Sequence, residues 1–323
     1  MLQDNAIVPV VSDLHGMSTV GLMPPSWRTD DGQTVLQSQV QAWLWGKWTG
    51  YWGIIAAEKE RTGYPVVAVV NGETVDKNWH PTVQQLTEFE PTLIDAAVDI
   101  LAPAMAVADY FLFTRGTEAH VGLGGALDEL VARRIAEHKG IHVIRNREGA
   151  YSWLWFWGKF GGVSMDIAHH PGHGYMREWT AGGDANRLAA SILMRYAKLE
   201  LPCPKITWRG HNHKPTDSAD NYPTRAVITP SWQLATHFGH RIGGGFLPVG
   251  GAYTVCRHGS YDDTIRKVYS EWPITVDDCW TPDMLSDAVV DMVEGNRTAE
   301  AHEADQPDTA PGKVRGFIGR LRG

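Results

Sequence analysis

Cysteine is scarce in this chain. Cys203, Cys256 and Cys279 are spread over 323 residues with no C-x-x-C spacing. An odd count at such intervals argues against a disulfide framework and a thiolate zinc site, and it fits a reducing cytosol. An excess of positive charge is also missing. The formal net charge is −8, with 29 Lys and Arg against 37 Asp and Glu. That balance argues against nucleic-acid binding through the whole surface, though it leaves room for a local basic groove. Long apolar runs are absent too. The greasiest region, Leu93 to Phe113, is interrupted by Asp95, Asp99, Pro103 and Asp109, so it cannot be a membrane span. Met1-Leu2-Gln3-Asp4-Asn5 has neither a basic region nor a long apolar core. The expectation is therefore no signal peptide and a cytoplasmic protein.

The chain does have enough apolar residues, 43%, for a sizeable core, together with 14 Trp and with 34 Gly for tight loops. Its length suits one large α/β domain or two modest ones. Ala6 to Val11 reads as a buried strand, followed by a Gly- and Pro-containing loop and a helix from Val35 to Arg61. The Trp43, Leu44, Trp48, Tyr51, Trp52 and Ile55 stripe of that helix faces a core. Pro65 to Val70 is a second buried strand. Thr82 to Ala108 is helical, divided by Pro91 and Pro103. Asp109 to Phe113 is a third strand, Leu127 to His138 a helix and Ile141 to Ile144 a short strand.

The second half changes character. Ser152 to Trp157 and Gly162 to Ala168 read as a hairpin. A helix from Asn186 to Leu199 and strands at Lys205 to Arg209, Arg225 to Thr229 and Ala252 to Arg257 follow. Alternation first and more strand later predicts an α/β fold of two packed sheets with helices outside. Residues 1–282 form the expected domain. Residues 283–323 read as a disordered linker, rich in Ala, Asp, Glu and Pro, with a basic tail from Lys313 to Arg322. That tail reads first as a solubilising segment, and second as a candidate docking peptide for a protein partner or an acidic surface.

Five strand ends carry polar corners. They are Asp13/His15, Glu73/Asp76, Glu118/His120, His169/His170 and His211/His213. Taken alone, an Asp-x-His corner reads more readily as a turn Asp beside a surface His. Five corners in series are another matter. Mixed imidazoles and carboxylates suit Zn, Mn, Fe or Ni, and a carboxylate between two such sets can serve two ions.

In these motifs the sequence resembles the calcineurin-like metallophosphoesterases. Asp13-Leu14-His15, Gly72-Glu73-Thr74-Val75-Asp76, Gly116-Thr117-Glu118-Ala119-His120, His169-His170-Pro171 and Gly210-His211-Asn212-His213 stand in that family's order, across residues 6 to 258. The resemblance implies a four-layer α-β-β-α sandwich of two mixed sheets flanked by helices. It also implies two divalent metal ions that hold a bridging hydroxide and hydrolyse a phosphate mono- or diester. Asp13, His15 and His213 would hold one ion and His169 and His211 the other, with Glu73 in place of the family's bridging Asp.

The third block departs from the pattern. Thr117 stands where the family has a ligand Asn. Glu118 is expected to supply that metal contact and His120 to protonate the leaving oxygen. Alternatively, Thr117 ligates and Glu118 orients His120. Lys77 and Arg115 are candidates to grip phosphate, His170 to line the substrate mouth, and Asp76 to orient a ligand His. His80, His138, His142, His237, His240 and His258 read as ordinary structural or surface residues. Two other functions stay open. Trp27, Trp79 and Trp179 would stack bases in a nuclease. The Glu73 and Thr117 departures would suit a binding or assembly protein with a degenerate metal site.

Overall fold

The first strand, Asn5–Val11, is buried at nearly every position, and its side chains divide by parity. Ala6, Val8 and Val10 join one buried cluster, Ile7 and Val11 another. Burial of both faces requires a layer on each side of the sheet. Val67–Asn71 and Tyr110–Thr114 divide the same way, with Val67, Val69 and Leu112 on one face and Ala68, Val70, Phe111 and Phe113 on the other. The computed structural model that shows this describes residues 4–77, 84–172, 183–237, 247–261 and 265–273. The chain divides into two compact units, Met1–Trp272 and Pro273–Gly323. Every element below belongs to the first. The expected boundary at residue 282, the linker and the basic tail lie outside the described residues.

The central strands form a mixed sheet. Asn5–Val11 pairs in parallel with Val67–Asn71, which pairs in parallel with Tyr110–Thr114. On its other side Asn5–Val11 pairs antiparallel with Val249–Arg257. Shorter strands bring this sheet to eight. A second sheet of five strands has Ile206–Arg209 at its centre, parallel to Val163–Ile167 on one side and Arg225–Ile228 on the other. Met165, Ile167, Ile206, Trp208 and Val227 from this sheet share one cluster with Ala6, Val8, Val10 and Val67 from the first. The two sheets therefore pack face to face.

Helices cover the outer faces. Gln39–Thr62, Glu90–Ile100 and Ala126–Ala136 pack on the first sheet. Gly183–Lys198 sets Leu188, Ala189, Ile192 and Tyr196 against Ala226 and Ile228 of the second. The layers run α-β-β-α, as expected. None of the described helices is long and apolar enough to cross a membrane.

Three local expectations shift. The first long helix begins at Gln39, not Val35, because Thr34–Leu36 pairs as a strand with Ser26–Arg28. A capping box then starts the helix. Ser38 Oγ accepts the Gln41 N–H at 3.2 Å, and Gln41 Oε1 accepts the Ser38 N–H at 3.0 Å. Between Thr82 and Ala108, the described helices are Glu90–Ile100 and Ala102–Met105, each with its proline in the first turn. Ser152–Trp153 pairs in parallel with Phe113 and Thr114 of the first sheet, so the hairpin is Phe156–Phe160 with Val163–Ile167.

The core reaches toward the sheet edge through aromatics. Trp48 lies edge-on to Trp52 at 5.5 Å and to Trp232 at 4.8 Å. All three are fully buried. Burying such a ring contributes on the order of 2–3 kcal/mol. The backbone N–H of Trp232 donates to the Asp13 carbonyl at 2.9 Å, so this packing also fixes the first corner.

Candidate metal centre

The loops after Val11, Asn71, Thr114, Ile167 and Arg209 meet at one place, although they leave strands of two sheets. Backbone hydrogen bonds tie them together. Asp13 N–H donates to Gly72 O at 3.1 Å, His15 N–H to Glu73 O at 3.0 Å, and Gly210 N–H to His169 O at 2.9 Å. The corner residues themselves are wound tightly. Asp13, His15, Glu73, His211 and His213 all have φ between 44° and 70°, a region that costs a non-glycine residue roughly 1 kcal/mol or more. Two glycines let the loops close. A Cβ on Gly72, whose φ is +83°, would lie 2.5 Å from His169 Nδ1, and one on Gly210 would lie 2.7 Å from Asp13 Oδ2.

Glu73 sits at the middle. Its Oε1 is 3.0 Å from His169 Nε2, and its Oε2 is 3.1 Å from His15 Nε2. The Thr117 N–H donates to Oε1 at 3.1 Å. Around it three groups of possible ligands form: Asp13, His15, Glu73 and His213; His169, His170 and His211; and His15, Asp76 and His120. Within each group the donor atoms lie within 4.8 Å of one another.

Asp13 also holds the fifth loop, since both its carboxylate oxygens accept the His211 N–H, at 3.1 and 3.0 Å. His213 Nε2 is 3.4 Å from Asp13 Oδ1 and 3.1 Å from His15 Nε2. Two imidazole nitrogens this close can share at most one proton, so at least one offers a lone pair toward the other. His169 Nδ1 donates to the Asn71 carbonyl at 2.7 Å, which leaves Nε2 as the inward atom. A carbonyl that fixes a ring in this way is the usual support of a metal-binding His.

Titration follows the same pattern. Burial alone would push His15 down, but the neighbouring carboxylates of Asp76 and Glu73 hold it well above the usual imidazole range. His169 is opposed by burial and raised to about 9 by the charges of Glu73 and Asp13. Burial would raise Glu73, yet the charge of His169 and hydrogen bonds from His15 and His169 keep it well below the carboxylate range. His170 goes the other way, lowered to about 4 by partial removal of its ring from water and by the charges of His169 and His211. Acids held ionised around imidazoles that gather protons describe a site that accepts positive charge, and the N/O donor set fits a first-row divalent cation.

Four expected residues have other neighbours than the sequence reading gave them. Glu118 begins a short helix, and its exposed carboxylate accepts the Gly124 N–H at 3.0 Å instead of joining a ligand group. The Lys77 ammonium pairs with Glu90. The Arg115 guanidinium is engaged by Ser152 Oγ at 3.0 Å and Gly124 O at 3.3 Å. Neither cation is turned to the clustered donors. His170, expected at the substrate mouth, stands within a ligand group. His120 and Asp76 do meet, with His120 Nδ1 2.8 Å from Asp76 Oδ1, while Asp76 Oδ2 lies 3.5 Å from His15 Nδ1.

The sequence reading missed Asp128. This fully buried carboxylate accepts N–H groups from Thr74 at 3.0 Å and Gly116 at 2.8 Å, and the Thr74 hydroxyl at 2.7 Å. It fastens the second corner to the third. Its signal was an acid on the apolar face of a helix, in line with Val131, Ala132 and Ile135. Gln233 was missed as well. Its Nε2 donates to Asp76 Oδ2 at 3.2 Å.

Five motif-bearing loops from two face-packed sheets converge here in the order the resemblance required, with one carboxylate between the imidazole sets. Two face-packed sheets with helices outside are the architecture that the resemblance implied. No family profile matches the chain, and no curated protein matches it in sequence. Among solved structures it is similar to Vps29 from Entamoeba histolytica complexed with zinc, at 11% identity and TM-score 0.36, over 82% of this chain and 98% of that one. It is similar to the Thermus thermophilus sulfate thiohydrolase SoxB at 11% identity and TM-score 0.36, over 85% and 57%. A 5'-nucleotidase from Candida albicans aligns at 10% identity and TM-score 0.39, over 85% and 53%. At such identities and scores, the chemistry of this chain has to be read from its own residues.

Proposed function

We propose that this chain is a metal-dependent phosphoesterase that hydrolyses a phosphate mono- or diester. Asp13, His15, Glu73 and His213 would hold one divalent cation. His169 and His211, sharing Glu73, would hold a second. When bound, such a pair supplies positive charge against the phosphate oxygens and a nucleophile at neutral pH. The observation that carries the reading is the position of Glu73, with one carboxylate oxygen on His15 and the other on His169. The longer Glu arm spans the two sets as the shorter Asp would from a closer backbone.

The chain's own residues provide the proton. His120 lies beside the first set, its ring 4.8 Å from that of His15 and about a third exposed. Asp76 accepts from its Nδ1–H, so the protonated ring would pass its Nε2 proton to the leaving oxygen and be left as the neutral Nδ1–H tautomer. Gln233 and His15 hold Asp76 in turn. Asp128 keeps Glu73 and the third corner in register. The base-stacking expectation has less behind it. Trp27 packs against the core, and Trp79 and Trp179 lie outside the described residues.

His211→Ala tests the reading. The variant should lose metal-dependent hydrolysis of a generic phosphodiester or monoester by at least about a hundredfold. Wild-type turnover under metal-controlled conditions would rule the assignment out.

A further inference from the structure

The third corner lacks the side-chain carbonyl that its family would offer a cation. Thr117 stands there, and a neutral hydroxyl is a weak ligand beside an imidazole. The Thr117 hydroxyl is 3.1 Å from His170 Nε2 and 3.1 Å from His211 Nδ1. One hydroxyl has one proton, so it donates to one ring and accepts from the other; it thereby keeps His170 Nε2 and His211 Nδ1 near one point, and a cation bound by both nitrogens would take the hydroxyl's place. The His170 ring lies 4.9 Å from that of His169 and 4.8 Å from that of His211. Three imidazoles so gathered gain little from one another. A shared cation accounts for their convergence.

We infer that His170 is itself a ligand of the second cation, in the place left by the missing carbonyl, and that Thr117 holds its ring in place until the cation binds. This inference rests on the two-cation reading. It makes the two sites unlike. The first has carboxylates Asp13 and Glu73 with two imidazoles. The second has three imidazoles, His169, His170 and His211, with only the shared Glu73. A nitrogen-rich set favours zinc, cobalt or nickel over manganese.

The test is a titration of the metal-free full chain with Co²⁺, followed by calorimetry and visible absorption, in wild type, His170→Ala and Thr117→Val. Wild type should take two equivalents. His170→Ala should keep the first and bind the second on the order of tenfold or more weakly, with an altered cobalt spectrum for that equivalent alone. Thr117→Val should keep both equivalents with smaller losses. His170 is exposed, so its truncation should leave the thermal unfolding of the metal-free chain unchanged, which serves as the folding control. Two equivalents with wild-type affinity and spectrum in His170→Ala would overturn the assignment, as would loss of the second equivalent in Thr117→Val alone. A wild-type chain that takes up fewer than two would overturn the two-cation reading itself, and this inference with it.

Discussion

Glu73, Gly72 and His169 show how tightly single residues define the site. Gly72 is turned to φ +83° with the His169 ring where a side chain would go. Gly72→Ala should therefore lower stability by about 1–3 kcal/mol and displace His169. Thermal unfolding together with metal content checks this, and an unchanged midpoint with full metal would show that the corner tolerates a Cβ. At this scale the sequence was most informative where a motif fixes spacing. Asp13, His15, His169, His211 and His213 come together because each lies within two residues of a strand or corner whose position was readable. Lys77, Arg115 and Glu118 were harder to place because neighbours in sequence need not face one cavity. Glu90, Ser152 and Gly124 engage them instead. Asp128 was hard to assign because its partners Thr74 and Gly116 lie 54 and 12 positions away in the chain.

Elements were legible where burial is two-sided. Strands such as Val67–Asn71 and Tyr110–Thr114 read as continuous apolar runs, and their boundaries moved by only a residue or two. Pairing was less legible, since it depends on partners rather than composition. Ser152–Trp153 joined the first sheet because Phe113 and Thr114 offered it an open edge. One polar cluster stitches the sheets at their rims. Asp217, beside Arg225 in the second sheet, accepts from Arg225 Nε at 2.9 Å and pairs with Lys267 of the first sheet at 2.9 Å. Burial would raise Asp217, but Arg225 and then Lys267 lower it to about 2. A depressed acid stabilises above its unfolded pKa, so the contribution is present above about pH 4 and fades as pH falls toward 2. Asp217→Asn should cost about 1–2 kcal/mol at pH 7, after allowance for solvent screening, and less at pH 3. Urea unfolding at both pH values measures it, and an equal cost at both would contradict the assignment.

For the whole molecule, the sandwich places loops from two sheets around one carboxylate, so a cation held there would clip the sheets together. Such a ligand binds only the folded chain. At a free concentration a hundred times its dissociation constant it should raise unfolding free energy by about 2.7 kcal/mol. Chelation should reverse this in urea or thermal unfolding, and an identical midpoint with and without metal would speak against a site spanning both sheets. The α-β-β-α order was readable in advance because alternating strands and helices gave way to strand-rich sequence. Which loops would touch was not, since that depends on how the sheets pack. The most direct measurement is an anomalous difference map from crystals grown with Mn²⁺ or Zn²⁺. Two peaks should appear, one on each side of the Glu73 carboxylate, beside His15 and His213 and beside His169 and His211. A map with no peak there, or with density only at distant surface acids, would contradict the account.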